Sequence, residues 1–80
     1  MSKYINIKED EIKNLVTNRL LNIYRINRKY IFQTLFLNGF DPNKNINWFM
    51  VNDELWYHSE FNRISYLNSL VKEELDIRDD

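Results

Sequence analysis

Apolar side chains return at helical spacing in three stretches of the chain, and in a fourth they crowd too closely to choose a period. The first stretch holds Ile12, Leu15, Val16, Leu20, Ile23 and Ile26. Intervals of three and four residues put these side chains on one face of a helix. Ahead of them Asn6 and Glu9 are spaced as a capping box, and Glu9, Asp10 and Glu11 place negative charge where a helix N-terminus favours it. The second stretch, Ile31, Phe32, Leu35 and Phe36, points more than a right angle away from the first when the phase is carried through. The pattern predicts either two helices separated by a break near Asn27–Lys29, or one long kinked helix. Leu37-Asn38-Gly39-Phe40-Asp41-Pro42 then reads as a helix stop. Gly39 takes a left-handed backbone there, Phe40 packs back and Pro42 forbids continuation.

The crowded stretch runs from Ile46 to Val51 and from Glu54 to His58, with Asn52-Asp53 between. Its Trp, Phe, Val and Tyr content suits strands, and Asn and Asp tolerate the positive φ of a two-residue turn. The expectation is an aromatic β-hairpin in which Trp48 faces Tyr57 and Phe49 faces Trp56. The competing reading is a short helix. The third helical stretch follows, with Ser59 as N-cap and Phe61, Ile64, Leu67, Val71 and Leu75 on one stripe, Leu70 at its flank. The fold class expected from the pattern is therefore α+β: two N-terminal helices or one kinked one, a hairpin, and an amphipathic C-terminal helix. An all-α domain is the alternative.

Length sharpens this. The chain has 80 residues, enough for one domain over 1–80. Acidic side chains at 76, 79 and 80 oppose a helix dipole, so 76–80 is expected to fray. Cysteine is absent, which excludes a disulfide framework and thiolate metal ligation. With no such staple, self-association as a homodimer is a second route to stability. No apolar run approaches the roughly 18 residues of a membrane span, and Met1–Lys8 has no apolar signal core. The expectation is a cytoplasmic protein without a membrane role. Asn, Ile and Lys together supply 27 residues and alanine none, the mark of an A/T-rich coding sequence such as that of a phage or mobile element.

The candidate chemistry is sparse. His58 is the one histidine, and a catalytic base needs a nucleophile aimed at it. Ser59 is its neighbour and on a strand would point to the opposite face. His58 is thus expected to be a hydrogen-bonding residue beside Trp and Tyr. Glu73 and Glu74 read as solvated charge. No spacing suggests a metal site, and no motif calls for a cofactor. The expectation is a protein that is not an enzyme.

Charge is more informative. The net charge of −1 hides a balance of +4 over residues 1–44 and −5 over 45–80. No acid occurs between Ile12 and Phe40. Lys13, Arg25, Arg28 and Lys29 would share a basic face on a continuous helix, interleaved with Asn14, Asn18, Asn22 and Tyr24. That face can be solvated, pair with the acidic half, meet a protein, or contact phosphates. Arg19 falls inside the apolar arc of Leu15, Val16, Ile23 and Ile26, and marks either a snorkelling edge residue or an interface. The aromatic cluster Trp48, Phe49, Trp56 and Tyr57 is either core on both sides or an exposed patch of the kind that anchors interfaces. Taken together these features favour a small protein-interaction module, such as an inhibitor or regulator that binds a host protein. The alternatives are a nucleic-acid-binding transcriptional regulator with a winged-helix outline and an oligomeric structural subunit. Against the nucleic-acid reading, its recognition helix (Lys29 to Asn38) is almost wholly apolar after Lys29.

Overall fold

The computed structural model describes residues 3–79. A 3-10 turn, Glu9–Asn14, precedes three α-helices: α1 (Thr17–Leu37), α2 (Trp48–Leu55) and α3 (Ser59–Arg78). Among the described residues 71% are helical and none is in a strand, so the α+β expectation gives way to an all-helical domain. The expected hairpin over 46–58 is instead α2, followed by a tight turn. The reason is local. Asn47 accepts hydrogen bonds from the Phe49 and Met50 amides at 3.0 and 3.4 Å, which satisfies donors that a helix start leaves orphaned. Val51 and Leu55, four residues apart, then fall on one buried side. The pairings of Trp48 with Tyr57 and of Phe49 with Trp56 do not form as a strand ladder.

α1 is continuous through Asn27, so of the two alternatives, a break near Asn27–Lys29 or one long helix, the structure takes the single helix. Its buried stripe is Leu20, Ile23, Asn27, Tyr30, Ile31, Thr34 and Leu35, one regular helical face. Three of its members carry polar atoms, which is why an apolar count loses the phase half-way along. Asn27 is fully buried. Its Oδ1 accepts from the Ile5 amide at 2.7 Å and its Nδ2 donates to the Ile5 carbonyl at 2.9 Å. Thr34 donates its hydroxyl back to the Tyr30 carbonyl at 3.0 Å. The chain interruption lies earlier, at Leu15 and Val16, where the backbone is extended between the 3-10 turn and α1. The expected capping box is also absent: the turn begins after Lys8 with no side-chain cap.

The stop after α1 takes the form its punctuation implies. Gly39 has φ +88°, its amide donates to the Phe36 carbonyl, and the Phe40 amide donates to the Leu35 carbonyl at 2.9 Å. Phe40 packs against the core.

α1 and α3 form an antiparallel pair. Tyr24 near the first third of α1 accepts from Asn68 Nδ2, while Tyr30 further along reaches Glu60 at the start of α3. Between them Leu20, Ile23, Ile31 and Leu35 meet Phe61, Ile64, Leu67 and Val71 in one core, which Ile12, Val51 and Leu55 complete. The stripe read from α3 is the one that is buried, with Leu70 and Leu75 partly covered at its margin. α3 is capped by His58, whose Nδ1 accepts from the Phe61 amide at 3.1 Å; Ser59, the expected cap, is the first helical residue. At the far end Arg78 donates to the Leu15 and Lys13 carbonyls at 2.6 and 3.1 Å and to Glu74 at 2.8 Å. One side chain thereby closes the carbonyl ends of the 3-10 turn. No helix among the described residues is long and apolar enough to cross a membrane.

Candidate functional site

α2 is the element that departs most from ordinary burial. Phe49 is 84% exposed, Trp56 76% and Trp48 50%, and Met50 and Tyr57 are also open to solvent. Only Val51 and Leu55 face inward. Phe49 and Trp56 are seven residues apart, about 20° on a helical wheel, so they lie on one outward line with Asp53 between. Trp56 and Tyr57 meet edge to face at 6.2 Å between centroids. Large side chains in water across nearly all of a short helix are not what folding alone selects, since burial of each would add stability.

The backbone of the helix that bears them is capped at both ends. Asn47 closes its first turn, and from α3 the Asn62 amide donates to the Leu55 carbonyl at 2.9 Å and to the Trp56 carbonyl at 3.4 Å. The His58 amide donates to the Leu55 carbonyl at 2.9 Å. Both ends of α2 are therefore satisfied by asparagine side chains, while its aromatic outer face touches little.

No family model, curated protein or solved structure matches the chain.

The other candidate residues are not gathered around α2. Arg25, Arg28 and Lys29 do share a surface: with Phe32 they line a shallow hollow on the outer side of α1. Arg28 lies over the Phe32 ring at 4.6 Å from its centroid, a cation–π contact. Lys13 does not join them. It belongs to the 3-10 turn and lines a separate hollow with Glu9, Leu70, Glu73 and Ile77, because the interruption at Leu15 and Val16 breaks the helical phase that would have aligned it. Arg19 is exposed near the start of α1. The apolar arc expected around it does not exist there, since Leu15 and Val16 precede the helix and Val16 is 71% exposed.

Ion pairing between the two halves of the chain is absent among the described residues. The two salt bridges, Lys72–Asp76 and Arg78–Glu74, both lie within α3. The winged-helix outline has no hairpin wing, and its supposed recognition helix is the second half of α1, where Tyr30, Ile31, Thr34 and Leu35 are core. Among titratable groups Tyr30 is displaced from its ordinary value. Burial raises its phenol pKa first, and the neighbouring Glu60 carboxylate raises it further. This phenol is a core residue packed on Tyr4 at 5.0 Å. No group of three or more carboxylates and histidines gathers among the described residues.

Met50 joins the α2 patch as the short-helix alternative placed it, on one side with Phe49, Trp56 and Tyr57. One part of the candidate surface escapes the sequence reading. Phe36, assigned to the core by its neighbours Ile31, Phe32 and Leu35, is 70% exposed at the end of the α1 outer ridge. Counting Asn27 and Thr34 as members of the buried stripe would have turned Phe36 outward.

Proposed function

We propose that the protein is a non-catalytic protein-interaction module whose binding surface is the outer face of α2. The observation that carries this reading is the exposure of Trp48, Phe49 and Trp56 on a helix whose backbone is capped at both ends. Aromatic anchors are the residues that dominate protein interfaces, and a partner gains most from them when their backbone needs no ordering on binding. A short helix offering a line of aromatics suits the groove or helix face of another protein.

The test compares the intact chain with Phe49→Asp/Trp56→Asp as immobilised bait in lysate of cells that carry the gene, read by mass spectrometry. The expected result is a protein held by the intact chain and lost by the variant, with the variant's melting temperature unchanged because both side chains are solvent-facing. Equal retention by both baits overturns the reading.

A further inference from the structure

The charge division of the sequence is not consumed inside the molecule. Arg25, Arg28 and Lys29 make no ion pair among the described residues, and the carboxylates that do pair use lysine or arginine of α3 itself. An attraction between a +4 segment and a −5 segment of one chain is thus left directed outward.

Its two poles have matching form. The outer ridge of α1 sets Arg25, Arg28 and Lys29 beside Phe32 and leads to Phe36, all on one side of the helix. The outer face of α2 sets Phe49 and Trp56 around the exposed Asp53, while Glu54, also exposed, adds a second negative charge about 100° round the helix. Guanidinium groups stack on aromatic faces and form paired hydrogen bonds with carboxylates, so each face offers what the other takes.

We infer that the α2 face of one molecule docks on the α1 ridge of a second copy, Arg25 and Arg28 meeting Asp53 and the rings of Phe49 and Trp56, with Glu54 adding to the negative charge at the edge of the contact. The inference rests on the α2 face being a binding surface and names its occupant. The two faces are different patches of one chain, so the contact is head to tail: it makes a closed pair where both contacts form at once, and longer chains where they do not. Aromatic contact and the opposed charges both supply affinity, and the charges also fix orientation. A nucleic acid would find the ridge but be repelled by the acidic half, which gives a protein surface the better match.

Sedimentation velocity of the full chain over a concentration series decides it. At low salt the average mass rises with concentration, and at about 1 M salt, where the screening length falls to about 3 Å, it returns toward the monomer. Arg25→Glu/Arg28→Glu and Asp53→Lys/Glu54→Lys each weaken association at least about tenfold. Mixing the two variants restores it, because the acidic ridge of one then meets the basic α2 of the other. A monomer at every concentration and salt overturns the inference, as does association that survives both reversals. If the chain stays monomeric while Phe49→Asp/Trp56→Asp still abolishes capture of a cellular protein, self-docking alone fails and the interaction module stands.

Discussion

Two buried asparagines on facing helices have opposite fates. Asn27 uses both ends of its amide on the backbone of Ile5, which lies in a segment outside any helix or strand. Asn68, also buried, gives its amide to the Tyr24 carbonyl at 3.4 Å, and its Oδ1 has no hydrogen-bond partner among the described residues. A buried polar atom without a partner costs stability, whereas a satisfied one contributes a little. Asn27→Leu should therefore destabilise by about 1–3 kcal/mol, since it strands the Ile5 amide and carbonyl. Asn68→Leu should be neutral or stabilising by about 1 kcal/mol, because it removes an unmet group and adds apolar volume. Urea unfolding of the two variants checks the sign; equal losses from both would remove the distinction. The same pair shows why the sequence misleads. An asparagine in a helix reads as solvent-facing by type, and only the position of Ile5 in space makes Asn27 a core residue.

At the scale of elements, the segment 46–58 is the instructive case. Its composition favours strands and its spacing admits a helix, and the deciding residue is Asn47, which the hairpin reading passes over as part of the first strand. Asn47→Ala should cost about 0.5–2 kcal/mol and release the first turn of α2. Faster amide exchange at Phe49 and Met50 than elsewhere in α2 would report it, and unchanged protection there would deny Asn47 its capping role. The elements with local signals were legible in the sequence: the stripe of α3, and the stop at Gly39 and Phe40. Whether the helix breaks near Asn27 stays open in the sequence because polar members of the α1 stripe hide its phase. Of the candidate surface, the aromatic residues were identified by type, but their outward line was not, since it depends on the helical spacing of Phe49, Asp53 and Trp56.

For the molecule as a whole, Arg78 is the residue on which distant parts converge. It is held by Glu74 one turn back and donates to carbonyls of Lys13 and Leu15. Lysine keeps the charge but not the planar fork of donors. Arg78→Lys should lower stability by about 1–3 kcal/mol, seen as a lower urea midpoint, while a midpoint shift no larger than that of an exposed site such as Lys72→Arg would deny it this role. The contact spans 63 residues of chain, from 15 to 78. Contacts that close so large a loop are paid for in chain entropy before they return any energy, and they form late. The loss in Arg78→Lys should then appear as faster unfolding with little change in refolding rate. On the ribosome the order is stricter still. The junction between the 3-10 turn and α1 is made before α3, and it waits for residue 78 to emerge before its carbonyls are answered. The helical pair can therefore assemble only after α3 has been made, and until then the growing chain carries the basic α1 with no α3 beside it.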